Sequence, residues 1–302
     1  MHRAFAAWLI AKSWRAPLAG AIFGILSPQG LSPFSVVAGA VGVFLLLSRD
    51  LRSGLQSALT GCAAVVTLLA TGGQSAWSSI AIVGLLFLAP FGLAVVMQRT
   101  GSLRWCFQIA VVGATALVIG IYVVLDDATG SWRLLAGEWG HMFADELRRA
   151  GYAMEDKTIV DLLAGTNWGT YVADWMLTML CAVFLGCWWH SLLHAPGAFG
   201  KEFQQLRLGK AFGSLALMIV IATLVLNTYY ANVPLMDALR WIAIFALAIQ
   251  GLSAVHRLKA SGRVGRGWLT ATYVLLIVPI TMVFVVMLLA GWGVADNWRR
   301  PA

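Results

Sequence analysis

Polar side chains able to contact a small molecule gather at the ends of four apolar stretches. Tyr122 closes one; Asn167, Trp168, Tyr171 and Asp174 open the next; Asn227, Tyr229 and Tyr230 close a third; Asp237 and Arg240 open a fourth. Aromatic faces with a few directed hydrogen-bonding groups suit a small planar ligand held in a cavity. Polar groups beside membrane spans usually face a bundle interior, where they need partners. The same Trp and Tyr residues also fit an aromatic belt at headgroup depth, and Asp237 with Arg240 fits an i, i+3 ion pair. The candidate ligand-binding residues are Trp168, Tyr171, Asp174, Asn227, Tyr229 and Tyr230.

Other chemistries find less support. His190 and His194 lie four apart on one helical face, and Glu202 would be a third donor. A structural zinc site asks for four ligands, and imidazoles at headgroup level need no metal, so no metal site is expected. The chain contains no phosphate-binding Gly-rich loop ending in Lys-Ser/Thr, so it is not expected to hydrolyse ATP. Neither paired intramembrane carboxylates nor a nucleophile–base arrangement can be read, so neither an enzyme nor a cofactor is expected. Cys62, Cys106, Cys181 and Cys187 all sit in apolar stretches without a Cys-x-x-Cys and read as small apolar residues.

The elements that must position these groups are lipid-matched. No charged residue occurs between Arg15 and Arg49, between Arg52 and Arg99, or between Arg104 and Asp126, and 60% of the chain is hydrophobic against 11% charged. Crossing a hydrocarbon core takes about 20 mostly apolar residues. Unbroken runs of that length form helices, because each backbone polar group must be satisfied inside its own segment; barrel strands of about 10 alternating residues do not fit. Spans are expected near 16–27, 34–48, 53–71, 77–97, 104–125, 170–191, 210–230, 237–256 and 268–291. The fold class is therefore all-α: a polytopic transmembrane helix bundle with eight or nine crossings, residues 1–302 forming a single integral membrane domain.

Three departures from plain spans are expected. Two prolines in Ser27–Pro33 break the first hairpin, leaving either short tilted helices shielded by neighbours or a re-entrant pair. Segment 126–169 is an extracytoplasmic loop in which Trp132, Leu135, Trp139, Met142, Phe143 and Leu147 recur at helical spacing, giving an amphipathic helix. Ile159, Leu162 and Leu163 mark a second, shorter one. Segment 192–209 is a cytoplasmic interfacial stretch: Pro196-Gly197 ends a helix, and Phe199, Phe203 and Leu206 then share a face. Gln56, Gln108 and Gln250 read as interhelical hydrogen-bonding groups.

Orientation follows from basic residues on alternate loops. With the N-terminus cytoplasmic, the inner segments hold 14 of the 21 Lys and Arg residues with only Asp50 and Glu202, a split of +12 inside and −4 outside within the total of +8. The nine-crossing arrangement puts Arg299 and Arg300 outside; an eight-crossing one moves them to the cytoplasm. The first residues read as an interfacial segment leading into the first span, not as a cleaved signal peptide. The positive charge lies in these short loops and not along an aromatic-interleaved soluble face, so nucleic acid is not expected as a partner.

Two segments carry resemblances. Leu18-Ala19-Gly20-Ala21-Ile22-Phe23-Gly24-Ile25-Leu26-Ser27, the proline-marked turn, Ser48-Arg49-Asp50-Leu51-Arg52-Ser53-Gly54-Leu55 and Gly61 are together similar to substrate-binding S subunits of energy-coupling-factor vitamin transporters. Trp188-Trp189-His190-Ser191-Leu192-Leu193-His194-Ala195-Pro196-Gly197-Ala198-Phe199, followed by Lys201-Glu202-Phe203 and Leu206-Arg207-Leu208, resembles the proteobacterial branch of the YybS-like family of multi-pass membrane proteins. His190 stands where that family usually has glutamine, and Ala195 where it has asparagine. These resemblances imply a bacterial inner-membrane protein related loosely to S-subunit folds.

Two functions are expected from these readings. One is a small-molecule binding or uptake component resembling an S subunit, energised by a membrane coupling subunit. Its coupling face would be the small-residue ladder Ala16, Gly20 and Gly24, which would otherwise serve internal packing. The alternative is a non-transporting scaffold that docks a membrane or cytoplasmic partner through 188–210, with Trp188, Trp189, Phe199, Glu202, Phe203 and Arg207 as contacts.

Overall fold

The computed structural model describes residues 2–27, 33–71, 84–149, 151, 155–229 and 233–298. Fourteen α-helices and one π-helical segment account for most of them, with no strand among the described residues. In chain order these are α1 (His2–Ala11), α2 (Arg15–Ile25), α3 (Pro33–Ser48) and α4 (Leu51–Thr71), then a π-helical stretch (Gly84–Leu88) running into α5 (Ala89–Thr100). There follow α6 (Leu103–Val124), α7 (Ala128–Arg149), α8 (Asp156–Ala164), α9 (Trp168–His194) and α10 (Ala198–Phe203). The chain closes with α11 (Lys210–Tyr229), α12 (Pro234–Ala260), α13 (Arg266–Ile277) and α14 (Pro279–Trp298). The proline turn at 28–32 and the start of the expected 77–97 span lie outside the described residues.

Among the described residues, five helices are long and apolar enough to cross a membrane: α6, α9, α11, α12 and α14. Their outward faces carry large apolar side chains such as Leu117, Met218, Leu224, Phe284 and Leu288, all exposed. That surface would be unfavourable in water and is matched to lipid. The central element is α12, which packs against α6, α9, α11 and α14 and is buried over most of its length.

Small residues set the closest approaches. A Cβ on Gly293 would lie 2.1 Å from the Leu247 carbonyl oxygen, and one on Gly251 would lie 1.9 Å from that of Leu289. Backbones of α12 and α14 thus touch directly, as small-residue interfaces allow in lipid. The short α3 is shielded on all sides by α2, α4, α5 and α9, and ten of its 16 residues are buried. Ala16, Gly20 and Gly24 are all buried: Ala16 in a cluster with α1, α3 and α9, and Gly20 and Gly24 facing α4, where a Cβ at Gly24 would meet Val65 and, from the π-helical stretch, Phe87 at 2.7 and 2.9 Å.

The apolar run 268–291, expected as a single span, is instead two helices. Pro279 has no N–H to donate and drives its predecessor out of the helical region, and Val278 is extended at φ −80°, ψ 116°. Helix α13 starts six residues after α12 ends. Helix α14 finishes beside that same end of α12, where Asp296 pairs with Arg257. The last run is therefore a hairpin, and α14 runs parallel to α12.

Candidate functional site

At one end of the bundle α7 and α8 form a cap. The N-terminus of α9 is fixed there by Asn167, whose Oδ1 accepts from the Thr170 amide at 3.0 Å. The other half of the same side chain reaches α12: Asn167 Nδ2 donates to Asp237 Oδ2 at 2.7 Å. Asp237 Oδ1 in turn pairs with Arg240 at 2.6 Å, the i, i+3 geometry that the sequence allows. Pro234 at the first turn and Asp237 just after it suit a helix start, where the backbone dipole favours an acid.

Helix α7 is held onto α9 by aromatic contacts. Trp132 meets Trp168 at 5.2 Å between ring centroids, Tyr171 at 5.8 Å and Trp139 at 6.1 Å; Trp139 meets Tyr171 at 5.3 Å, and Tyr171 meets Trp175 at 6.2 Å. The Trp168 indole N–H donates to the Ala128 carbonyl at 2.9 Å. The pairs to Tyr171 from α7 are tilted and the others edge-to-face, and well-oriented aromatic pairs add about 0.5–1.5 kcal/mol each beyond area burial. Of the apolar stripe expected on α7, Trp132 packs inward and Trp139 lies half-buried against the same rings, whereas Met142 and Phe143 are exposed. The buried line continues instead through Ala136, Gly140 and Ala144, because α8 crosses so close that Gly140 has Val160 against it.

Beneath this cap lies a cleft of about 250 Å³, lined among others by Tyr122, Thr129, Trp132, Arg133, Asn167 and Asp237. Trp132 is buried, yet its indole N–H has no hydrogen-bond partner among the described residues. Arg133 is exposed and makes no ion pair among the described residues. Asp237 is already matched by Asn167 and Arg240, so the unmet capacity of the cleft is in donors.

The expected ligand residues divide. Trp168 and Tyr171 belong to the aromatic wall, and Asp174 lies half-buried one turn further along α9. Asn227 and Tyr229 are exposed at the end of α11 and do not line the cleft; Tyr230 lies outside the described residues. Trp132 and Arg133 were not singled out as site residues, because on sequence they are one aromatic and one cation of a surface helix. Their signal was adjacency to a polar loop, which is common.

At the opposite, basic end, the residues expected to dock a partner are engaged within the chain. Trp189 is buried against Phe5 at 5.3 Å and Phe44 at 6.1 Å, and Trp188 meets His2 at 4.9 Å, so the tryptophan pair receives α1. Phe203 is buried edge-on to Phe184 at 5.4 Å and His256 at 4.9 Å, with Phe199 beside it. Glu202 accepts from the Leu103 amide at 3.4 Å, a carboxylate at the start of α6. His190 and His194 stack at 4.5 Å, with Ser48 on His190 Nδ1 at 3.1 Å. Among the described residues, no cluster of three His, Cys, Asp or Glu could hold a metal ion.

The expected short helix stops at Phe203, and residues 205–209 run without helix to Gly209, whose φ of +88° favours glycine. Their backbone groups are bonded by side chains from two helices, α6 and α12. Gln108 of α6 donates to the carbonyls of Arg207 and Leu208 at 3.0 and 2.9 Å. Gln250 of α12 accepts from the Leu208 amide and donates to the Gly293 carbonyl, both at 2.9 Å. Arg257 donates to the Gln204 carbonyl and to Ser253 Oγ, and pairs with Asp296; Arg207 approaches Asp296 at 3.7 Å. Gln250 thus joins two helices as expected, Gln108 ties α6 to the non-helical segment instead, and Gln56 is exposed. The fold and both of its ends define the class of molecule: an all-helical membrane protein. Comparison with family models, with curated proteins and with solved structures found no match.

Proposed function

We propose that this chain is a membrane-embedded binding component that takes a small, acceptor-rich solute such as a carboxylate at its capped end, and that its role is binding and not catalysis. The observation that carries the reading is the pairing, on one cleft of about 250 Å³, of a buried indole N–H and a guanidinium that have no hydrogen-bond or ion-pair partner, respectively, among the described residues, Trp132 and Arg133. Burying a donor unsatisfied costs about 1–3 kcal/mol, and a ligand oxygen would relieve it. The volume is just under the roughly 300 Å³ at which small-molecule sites usually begin, which favours a compact solute.

The reading extends to topology. The chain crosses eight times and ends in a re-entrant hairpin, α13–α14, in the inner membrane of a bacterium with its N-terminus cytoplasmic. Counting Asp296, Arg299 and Arg300 with the basic end gives sixteen basic and three acidic residues inside against five and ten outside. That is a steeper positive-inside bias than the nine-crossing arrangement has. The likeness of 18–61 to S subunits of energy-coupling-factor transporters supports a separate coupling subunit as the energising partner. The scaffold alternative has less to draw on, since Trp189 and Phe203 are already buried within the chain.

Native mass spectrometry of the protein released from mild detergent tests the reading. A small molecule retained by the parent chain and lost in both Trp132→Phe and Arg133→Ala is expected. No retained molecule, together with no thermal shift across a panel of small carboxylates, would overturn it.

A further inference from the structure

We propose that the basic end of the bundle holds one anionic phospholipid, its headgroup in a polar pocket between α12 and α14 and an acyl chain in the apolar cleft of the terminal hairpin. The inference is independent of the capped-end cleft and requires only that the chain lies in a bilayer. Two cavities meet there. One, of about 440 Å³, is lined by Arg257, Ser261, Arg263 and Asp296. The other, of about 340 Å³, is lined by apolar side chains of α12, α13 and α14, including Trp268, Leu275 and Leu288. Leu258 and Trp292 line both, so a polar compartment opens directly beside an apolar one.

The charges favour an anion. Asp296, the one carboxylate lining the polar cavity among the described residues, is shared by Arg257 and Arg207, so its charge is more than matched within the protein. Arg263 adds a further cation, exposed and without an ion pair among the described residues. A free phosphate would need the arginines alone, but the adjoining cavity is shaped by the hairpin and walled by large exposed apolar side chains that water does not suit. Basic pockets between membrane helices that adjoin apolar grooves suit lipid headgroups, each nearby cation contributing about fivefold in affinity. A hydrogen bond ties α13 to α12: His256 on α12 meets the Tyr273 hydroxyl of α13 at 3.0 Å.

The full-length protein would be placed in nanodiscs of phosphatidylcholine containing a minor fraction of phosphatidylglycerol with identical tails, and the lipids that survive its release would be counted by native mass spectrometry. One phosphatidylglycerol retained in preference to phosphatidylcholine is expected. Arg263→Ala, in an exposed loop, should weaken that retention about fivefold. Thr272→Trp, which fills the apolar cleft from α13, should abolish it, whereas Lys157→Ala at the capped end should leave it unchanged. Equal retention of the two lipids, or retention unaltered in both of the first two variants, would overturn the proposal. Displacement by soluble glycerol phosphate would also overturn it, since the pocket would then be a phosphate site without need of a tail.

Discussion

Arg257, in the last turn of α12, is ion-paired with Asp296 near the end of α14, and both side chains are about seven-eighths buried. This contact joins the C-terminal ends of two parallel helices, which only a reversal of the chain between them permits. Residues 259 and 298 should therefore lie in one compartment and residue 133 in the other. Membrane-impermeant thiol labelling of Lys259→Cys, Trp298→Cys and Arg133→Cys, all exposed positions, checks this. Opposite accessibility of 259 and 298 would restore a ninth crossing.

The same pair should be costly to break from one side. Removing one partner of a buried ion pair leaves an unmatched charge, worth about 3–5 kcal/mol. Asp296→Ala strands Arg257 and leaves Arg207 without that carboxylate, so its thermal unfolding in detergent should fall furthest. The double variant Arg257→Ala/Asp296→Ala should be less destabilised than the sum of the single ones. Strict additivity would mean that the pair does not couple.

Glycines of α14 provide a matched comparison. Gly293 has no room for a Cβ beside Leu247, whereas Gly291, two residues away, has nothing within 4 Å. Gly293→Ala should push α12 and α14 apart at a cost of about 1–3 kcal/mol or more, while Gly291→Ala should be neutral or slightly stabilising. Comparable melting temperatures for the two would show that the interface yields freely. On α2 the same logic separates Gly24, which has Val65 and Phe87 against it, from Gly20, where the nearest atom is at 3.8 Å. Gly24→Leu should impair folding itself, and Gly20→Ala should not.

The helical character, including that of α7, was legible because charge-free runs and a 3.6-residue stripe are local signals. Lipid leaves the backbone few alternatives. The terminal hairpin was legible in principle from Pro279, but its apolar flanks hid it: on hydropathy alone 268–291 is one uninterrupted span, and only the partner of Asp296 reveals the return. The aromatic residues at 188–203 show the reverse problem. A Trp-Trp pair and a Phe-x-x-x-Phe spacing look the same whether they await a partner or receive the chain's own α1 and α12, because that depends on contacts more than 50 residues apart in sequence. Of the cleft, Asn167 and Asp237 could be named, but their hydrogen bond spans 70 positions and could not.

That hydrogen bond makes the last prediction specific. Asn167 serves two helices at once, capping α9 through Oδ1 and holding Asp237 of α12 through Nδ2. Asn167→Ala should lose the cap, about 1 kcal/mol, together with a charge-assisted bond of about 1.5–3 kcal/mol. Asp237→Ala should lose the bond and leave Arg240 unpaired, but keep the cap. A double-mutant cycle on these two positions isolates the shared bond, and a coupling energy of about 1.5–3 kcal/mol is expected. Because the bond spans one wall of the cleft, Asn167→Ala should also weaken retention of any solute bound there more than Asn227→Ala does, Asn227 lying exposed at the end of α11. A coupling near zero would mean that α9 and α12 are aligned by their direct packing alone, and the cleft would then keep its shape without Asn167.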